Sequence, residues 1–259
     1  MYKIIDAHVH FGTGKYSPFL SEQAKESVFR MKNEAEQFIK IMDDNNVDKS
    51  IAFAVPHMRI DVDNSNNYIY EEYLKYPDRI IPFCRLNKNL EENLNKGFKG
   101  AKLHLLYEQL NISDLKKYFQ ILEAYNCSLI LHALFKNKPE QVKQILEYAP
   151  KIKLILAHMG RNELYTMNGI LEVVSKLSSF NNVYFETSTI GEKTAVEKAI
   201  AIVGEDRIIY GSDYPYGKIY YEDQKQDYSY NRDLAIVGDA EISEQAKVKI
   251  FRQNIQRLL

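Results

Sequence analysis

The sequence has few cysteines and no long hydrophobic run. Two cysteines occur in 259 residues, Cys84 and Cys127, and they lie far apart in strand-like segments. Two thiols cannot form the disulfide framework of a small secreted domain, so we expect both to be reduced, as in a cytoplasmic protein. No run of about 18 apolar residues is present, and we expect no membrane-spanning helix.

An excess of charge of one sign is missing as well. Lys plus Arg total 34 and Asp plus Glu total 35, which gives a formal net charge of −1. This balance predicts no binding to nucleic acid or to a membrane. It does not exclude a small anionic substrate, because a single arginine can hold a carboxylate. We expect a small-molecule substrate, and the composition is compatible with a homo-oligomer.

Linkers and targeting signals are also lacking. The first residues run directly into a strand-like segment, without a basic stretch, an apolar stretch and a cleavage site in succession, which predicts a cytoplasmic location. No Pro-rich or Ser-rich segment divides the chain. We therefore expect residues 1–259 to form one domain, a length that α/β barrels often reach as a single unit.

What the chain does contain is a regular alternation of two element types. Eight short apolar, β-rich runs predict strands at Lys3–His10, Lys49–Val55, Arg79–Leu86, Gly100–His104, Ser128–His132, Lys153–His158, Asn182–Thr187 and Arg207–Gly211. Helical patterns lie between and after them, at Glu34–Asn45, Glu71–Lys75, Leu90–Lys96, Ser113–Tyr125, Pro139–Tyr148, Met167–Ser178, Thr194–Val203 and Ser243–Leu259. This alternation predicts an α/β fold with parallel strands.

The strand count favours a (β/α)₈ TIM barrel. The alternative is an open, doubly wound sheet, but such sheets more often have fewer strands, and no Gly-rich phosphate-binding turn follows the first strand. Pro82 argues against the third predicted strand, because proline cannot donate to the ladder. Two long connections, Phe11–Met31 and Tyr214–Tyr230, follow strand ends, and we expect them to form a lid or a substrate wall over the catalytic face.

The first strand carries the motif Asp6-Ala7-His8-Val9-His10. Because side chains alternate in direction along a strand, Asp6, His8 and His10 are predicted to share one face. Two imidazoles at positions i and i+2 can bind one metal ion. Taken alone, the motif fits a polar strand end with solvated histidines equally well.

Other strand ends carry the same kinds of side chain. His132 and His158 end two apolar runs, and Asp213 follows a third; five of the six histidines end a predicted strand. In a barrel these ends converge on the catalytic face. Three or four histidines and one aspartate form a ligand set suited to zinc, or to manganese, iron or cobalt.

These residues lie in motifs that resemble those of the amidohydrolase superfamily of metal-dependent barrel enzymes. The resemblance is closest to the branch that contains aminocarboxymuconate-semialdehyde decarboxylase, resorcylate-type decarboxylases and dicarboxylate lactonases. The matching segments occur in the family's order at Ile5–His10, Gly100–His104, Leu131–Ala133, Ala157–Gly160 and Gly211–Pro215. They span nearly the whole chain, but they do not specify a substrate.

The resemblance implies a role for each strand-end residue. His8, His10, His132 and Asp213 match metal ligands, and Asp213 would also take a proton from the attacking, metal-activated water. His158 matches a histidine that acts as acid/base or polarises the substrate. The resemblance implies one divalent ion, zinc first, with manganese, iron or cobalt as alternatives. The Gly-x-Lys-x-His segment of the fourth strand leaves the metal count open, because a carboxylated lysine there would bridge two ions.

Further residues near strand ends are predicted to bind substrate. Lys102 and His104 share a face of the fourth strand, and a buried Lys102 is expected to pair with a substrate carboxylate or a neighbouring acid. Arg85, near the end of the third strand, is expected to meet a substrate carboxylate, with a position on the rim as the alternative. Glu186 either faces the lumen or forms a structural pair, and Arg161 follows a strand end.

The predicted site is compatible with three functions. The first is metal-dependent hydrolysis of a small amide, lactone or ester, with Asp213 as general base and His158 as acid/base or carbonyl polariser. The second is non-oxidative decarboxylation of a small unsaturated or aromatic carboxylic acid at the same metal site. The third is a metal-binding barrel without catalysis, against which the proton acceptor Asp213 argues. Loops set specificity in barrels, so the sequence does not identify the substrate.

Overall fold

The computed structural model describes residues 2–12, 33–57, 60–133, 138–161, 166–223, 225 and 227–259. Residues 13–32, which hold most of the first predicted lid, lie outside this part of the chain. The described residues form eight strands: β1 Ile4–Phe11, β2 Val47–Ala54, β3 in two segments (Ile80–Pro82 and Cys84–Arg85), β4 Gly100–His104, β5 Ser128–His132, β6 Lys153–Leu156, β7 Val183–Glu186 and β8 Ile208–Ile209.

Helices connect and follow the strands. Within the described residues they are α1 Ala35–Asp44, α2 Val62–Lys75, α3 Leu90–Lys96, α4 Leu105–Glu108, α5 Lys116–Ala124, α6 Lys138–Tyr148, α7 Met167–Lys176, α8 Lys193–Val203, α9 Tyr216–Asp223, α10 Tyr230–Gly238, α11 Glu244–Val248 and α12 Asn254–Leu258. A π-helical turn, Lys249–Gln253, lies between the last two. None of the helices described here has the length and hydrophobicity needed to cross a membrane.

The strands form a closed barrel. Consecutive strands pair in parallel from β1 through β3 and from β3 through β8. The last strand closes on the first: the N–H of Ala7 donates to the Tyr210 carbonyl at 3.1 Å, and that of His10 donates to the Tyr214 carbonyl at 2.8 Å. This is the (β/α)₈ barrel that the strand count predicts.

The third strand is divided at Phe83, next to the proline that argued against it. Residues 80–82 pair with β2, and the Phe83 N–H still donates to the Ala52 carbonyl at 2.9 Å. The missing N–H of Pro82 lies on the other side, where pairing with β4 begins only at Cys84. The strand tolerates proline because ladder pairing on that side starts after the missing N–H, while the Pro82 carbonyl still accepts from the Lys99 N–H at 2.9 Å.

Two apolar layers hold the barrel together. Its interior is filled below the catalytic face by buried side chains that include Ile5, Ile51, Phe53, Ile130, Ile155 and Ile209. A larger core lies between strands and helices, and α1 shows how the sequence builds it: Ala35, Phe38 and Met42 recur at helical spacing and are buried. Each large apolar side chain in these layers contributes about 1.5–3 kcal/mol, so the residues above the interior layer rest on a packed base.

The first strand corrects one prediction about side-chain direction. Its register with β2 shifts after Asp6. Ala7 packs in the barrel interior with Phe53, and the His8 ring also lies against Phe53, with 5.2 Å between ring centroids. Asp6 lies on the helix side, where its carboxylate accepts a hydrogen bond from Tyr230 at 2.6 Å. The strict alternation that placed Asp6 with the two histidines was wrong, because an irregularity in the strand changes which residues face inward.

Two predicted elements have different boundaries. β6 stops at Leu156, and His158 lies in the short 3₁₀ turn Ala157–Gly160 rather than on the strand. α2 begins at Val62, well before the predicted start, because the Asp61 side chain caps it by accepting a hydrogen bond from the Asn64 N–H at 3.0 Å.

Candidate active site

The predicted strand-end residues come together around one cavity. This cavity measures about 160 Å³, and its described lining consists of His8, His10, His104, His132, His158, Arg161, Thr189, Asp213, Tyr216 and Ile219. A cavity of roughly this size accommodates a single aromatic ring. It lies at the carboxyl ends of the strands, which is where barrel enzymes place their sites.

The first-strand histidines meet Asp213 at the base of the cavity. The Nε2 atoms of His8 and His10 lie 3.2 Å from each other. The Asp213 Oδ1 lies 3.2 Å from the first and 3.1 Å from the second. Lys102 approaches from β4, and its Nζ lies 3.0 Å from the His8 Nε2. These contacts join strands that are far apart in sequence, as the barrel closure requires.

His158 occupies the other side of the same group. Its Nε2 lies 3.9 Å from the Asp213 Oδ2 and 3.1 Å from the His132 Nδ1. The His132 ring in turn stacks on that of His104, with centroids 3.9 Å apart and 18° between the planes. The five predicted histidines therefore form a continuous array across the mouth of the barrel.

Two of the predicted site residues have left-handed backbone conformations. His158 has φ 57° and Asp213 has φ 58°, which is uncommon for residues with a side chain and costs on the order of 1–3 kcal/mol each. Hydrogen bonds at both turns offset part of this cost. The Glu186 carboxylate accepts from the His158 N–H at 3.2 Å, and the Asp6 carboxylate accepts from the Ser212 N–H at 3.0 Å. Strained backbone is therefore present at both turns, the one that carries Asp213 and the one that carries His158.

Burial keeps the imidazoles of the site neutral. It lowers the pKa of all five histidines well below the ordinary value, and the charge of Lys102 or Arg161 lowers it further. Neutral imidazole is the form that binds metal ions. Burial also raises the pKa of Asp213, while His8, Lys102 and Arg161 lower it. Burial lowers the pKa of Lys102 to about 8, against the effect of Asp213 and Glu186.

The donor set fits a divalent cation. Within the described residues, one group of potential ligand atoms, from His8, His158 and Asp213, lies entirely within 4.8 Å. The His10 Nε2 joins it through its 3.1 Å contact with Asp213. Neutral imidazole nitrogens and a carboxylate this close concentrate electron pairs that a cation would neutralise, and this nitrogen and oxygen set suits zinc or a related ion. His132 contacts this group through its Nδ1, which lies 3.1 Å from the His158 Nε2.

Arg85 does not take the position at the cavity that the sequence predicts, whereas Arg161, which was only known to follow a strand end, does. Arg85 is 1% exposed and does not belong to the described lining. Its Nε donates to Glu108 at 2.8 Å, and its other nitrogens donate to the carbonyls of Val55 and His57 at 3.3 and 3.0 Å. This geometry gives Arg85 a structural role. Arg161, which follows the turn after β6, faces the cavity instead.

Several contributors to the site were not singled out by sequence reasoning. Ser188 and Thr189 follow β7 and contact the His158 Nδ1 at 2.7 and 3.1 Å. Thr189 has a φ of 50°, and no local pattern announces such a turn. Tyr216 packs edge-on against His10 at 4.7 Å, and its place in the tyrosine-rich connection after β8 was a usable signal. The sequence left two roles open for Glu186, one facing the lumen and one in a structural pair. Its position at the end of a strand was the signal that it faces the lumen.

Comparison with known proteins agrees with the geometry. A protein-family model described as amidohydrolase matches residues 5–259. No match was found among curated proteins.

Three solved structures share the fold over nearly their whole length. A probable 2-pyrone-4,6-dicarboxylic acid hydrolase from Acinetobacter baumannii has a TM-score of 0.77 at 18% identity, with 99% of this chain and 98% of that chain covered. The 2,6-dihydroxybenzoate decarboxylase from Rhizobium has a TM-score of 0.72 at 18% identity, with 100% and 98% covered. An amidohydrolase from Burkholderia multivorans with bound zinc has a TM-score of 0.75 at 13% identity, with 99% and 98% covered. At these identities the structural likeness concerns the fold. The family match itself runs from the first strand to the last helix, so the chain belongs to the amidohydrolase family of enzymes.

Proposed function

We propose that this enzyme is a metal-dependent hydrolase of a small carbonyl compound, an amide, lactone or ester. The observation that carries the proposal is the contact of the Asp213 carboxylate with the Nε2 atoms of both first-strand histidines, at 3.2 and 3.1 Å. A carboxylate at this point can bind the same cation as the imidazoles and accept a proton beside it. The cavity size agrees with a substrate of about one ring.

We assign the cation to His8, His10 and Asp213, with His132 as the fourth ligand that the sequence predicts. We expect a single ion, zinc before manganese, iron or cobalt, and a relative of the same fold contains zinc. When bound, such an ion polarises a carbonyl and lowers the pKa of a water molecule toward neutrality. The nearness of the His158 Nε2 to Asp213 makes His158 the competing choice for the fourth position.

The side chains around the cation site divide the remaining work. Asp213 accepts the proton of the attacking water, which its central position allows. His158 polarises the substrate carbonyl or passes a proton to the leaving group. Lys102, fully buried at 3.0 Å from the His8 Nε2, is proposed to balance negative charge in the site. A carboxylated Lys102 that bridges two ions is the alternative.

Arg161 is proposed to hold a carboxylate of the substrate, the part that sequence reasoning gave to Arg85. It lines the cavity and is oriented through hydrogen bonds from its guanidinium to the Thr189 carbonyl, at 3.2 Å, and to the Thr189 hydroxyl. A guanidinium that lines a site with restricted access to water binds carboxylates well. His104, which also lines the cavity, is proposed to contact the same substrate.

The position proposed for the substrate carboxylate, beside Arg161, also supports a second candidate function, non-oxidative decarboxylation. Here His158 would deliver a proton to carbon after loss of carbon dioxide. The observation in its favour is Arg161 at the cavity, together with a fold shared with a 2,6-dihydroxybenzoate decarboxylase. Product analysis separates the candidates, because decarboxylation releases carbon dioxide and hydrolysis releases an amine, an alcohol or an opened ring.

Metal analysis and a substrate screen test the proposal. We expect protein purified without chelator to contain about one equivalent of a divalent ion. Chelation should abolish activity, and one equivalent of zinc or manganese should restore it. The screen should include lactones, amides and aromatic or unsaturated carboxylic acids. Full activity of metal-free protein would contradict the assigned role of the ion.

The setting of this activity is proposed from the sequence. We propose that residues 1–259 act as one domain in the cytoplasm on a small molecule, with no nucleic acid or membrane as partner. Gel filtration with light scattering would determine whether the enzyme is a homo-oligomer.

A further inference from the structure

We propose that Glu186 is a positioning residue that sets the tautomer of two histidines of the site, His8 directly and His158 through Ser188. The inference rests on the proposed function to the extent that these two imidazoles act there. It adds a residue whose role the metal and substrate assignments leave open. Glu186 is fully buried at the end of β7, between the two histidines.

The first arm of the arrangement is a direct hydrogen bond. The His8 Nδ1 lies 2.8 Å from the Glu186 Oε2. A carboxylate accepts hydrogen bonds, so the proton of the neutral imidazole must be on Nδ1. The His8 Nε2 then carries the lone pair, which accepts from the Lys102 Nζ at 3.0 Å. The Asp213 Oδ1 also lies on this side of the ring, but at 3.2 Å it is farther from the imidazole than the Glu186 Oε2.

The second arm passes through a hydroxyl group. The His158 Nδ1 lies 2.7 Å from the Ser188 Oγ, 3.2 Å from the Ser188 carbonyl oxygen and 3.1 Å from the Thr189 Oγ1, which can also accept. A carbonyl oxygen only accepts, so this nitrogen also carries the proton. The Ser188 hydroxyl accepts from it and donates its own hydrogen to the Glu186 Oε2 at 2.8 Å. His158 is therefore left with its lone pair on Nε2, toward the cavity.

The carboxylate itself is fixed by backbone donors on both oxygens. The Ser188 N–H donates to Oε1, and the His158 N–H donates to Oε2 at 3.2 Å. Gly211 leaves the space for this approach, because a Cβ there would overlap the Glu186 Oε1. One side chain thus joins the ends of β1, β6 and β7.

The consequence is that both imidazoles present the same kind of nitrogen to the cavity. A lone pair on the His8 Nε2 is what a metal ligand needs, and a carboxylate on the far nitrogen orients the ring. A lone pair on the His158 Nε2 makes this residue a proton acceptor or ligand at rest. It can polarise a carbonyl or act as an acid only after it has taken up a proton, which the Ser188–Glu186 pair would stabilise.

The tautomers can be measured without any substrate. Full-length protein labelled with ¹⁵N-histidine would be freed of metal, and long-range ¹H–¹⁵N correlation spectra would be assigned with His8→Gln and His158→Gln variants. We expect His8 and His158 both to carry the proton on Nδ1. A proton on Nε2 of either residue would overturn the proposal for that arm.

Two variants separate the arms. Glu186→Gln affects both, so we expect the zinc Kd to rise by about 10- to 100-fold, together with a lower kcat. Ser188→Ala interrupts only the His158 arm, so kcat should fall by roughly tenfold while the zinc Kd changes much less than in Glu186→Gln. Ser188→Thr keeps the hydroxyl and should recover most of the lost kcat.

A neighbouring residue supplies the matched control. Thr187 is 2% exposed, and its hydroxyl has no hydrogen-bond partner among the residues that the structure describes, so Thr187→Val should leave zinc Kd and kcat unchanged. Wild-type values in both Glu186→Gln and Ser188→Ala would overturn the proposal. If Glu186→Gln does not fold, the wild-type tautomers still decide the question. Tautomers and zinc affinity are measured without turnover. The proposed role of Glu186 can therefore be refuted while the proposed reaction is confirmed, and the proposed reaction can be refuted while the role of Glu186 is confirmed.

Discussion

Two buried carboxylates, Asp6 and Glu186, lie on opposite sides of the first strand and accept the same number of hydrogen bonds. Asp6 accepts from the N–H groups of His8 and Ser212, both at 3.0 Å, and from the hydroxyls of Ser212 and Tyr230, both at 2.6 Å. Glu186 also accepts from two N–H groups and one hydroxyl, but its fourth donor is the His8 imidazole. One carboxylate orients backbone, and the other also orients a ring of the site.

The distribution of donors over the two oxygens differs more than their number. In Asp6 both N–H groups point to Oδ1, and Oδ2 meets only hydroxyls. In Glu186 each oxygen meets one N–H group. A hydroxyl can rotate to accept from an amide NH₂, whereas a backbone N–H cannot. Equal burial therefore does not mean equal need for charge: an amide fits in place of Asp6 and does not fit in place of Glu186.

A third buried carboxylate, Asp213, differs from both, because it contacts the imidazole nitrogens of His8 and His10 instead of backbone N–H groups and hydroxyls. We expect Asp213→Asn to lower kcat at least 100-fold, since it removes a proton acceptor, while the free energy of unfolding changes by less than about 1 kcal/mol. Steady-state kinetics and urea unfolding would measure the two effects. More than a tenth of the wild-type kcat would show that the proposed role is wrong.

Glu186→Gln should show the opposite balance, with a cost in stability even without metal. Its NH₂ group would face a backbone N–H in either orientation. We expect the free energy of unfolding to fall by roughly 1–3 kcal/mol, the cost of a buried group without a partner. Urea unfolding of metal-free protein checks this, with Thr187→Val as the control. An unchanged unfolding midpoint and slope would mean that an amide fits in place of Glu186 as well as it is expected to fit in place of Asp6.

Lys102→Ala tests the positive charge that acts on Asp213 and Glu186. As a charge partner, Lys102 should be dispensable for metal binding, and its loss should lower substrate affinity or rate by roughly tenfold or more, since a hydrogen bond to a charged group contributes about 1.5–3 kcal/mol. Lys102→Met controls for the lost volume. Loss of metal in Lys102→Ala, or two ions with a carboxylated Lys102 in a crystal structure, would favour the bridging alternative.

Asp6→Asn is expected to have the smallest effect of the series. Asparagine can place its oxygen at the two N–H groups and its NH₂ at the two hydroxyls. We expect less than about 1 kcal/mol of lost stability and near-normal kcat, measured by the same unfolding and kinetic assays. Asp6→Ala should cost clearly more, because it leaves Tyr230 and Ser212 without their acceptor. Equal effects of the two variants would refute the donor argument.

The general position of the site could be predicted from sequence because it depends on rules that hold along every strand. Parallel strands end on one face of a barrel, so His8, His132 and Asp213 could be placed together without knowing any loop. The family resemblance adds the order of these motifs. The eight strands follow from the same regular alternation, including the divided third strand.

What could not be predicted depends on single irregular residues. The register shift after Asp6 moves that side chain to the helix side, and no residue in the motif signals it. The turns at His158 and Thr189 have positive φ without glycine, because contacts from other strands hold them. Arg85 was misplaced for a related reason: its acceptors are carbonyls of a loop that follows a different strand.

The position of Arg85 has a consequence for how this scaffold can be altered. Its guanidinium ties the segment after β2 to Glu108, which in turn accepts from the His104 N–H at 2.8 Å. The bases of two loops are therefore fastened to each other below the cavity rim. Loop exchanges that begin beyond His57 and beyond Glu108 would leave this cross-brace intact, and these are the junctions at which new specificities could be grafted without rebuilding the barrel.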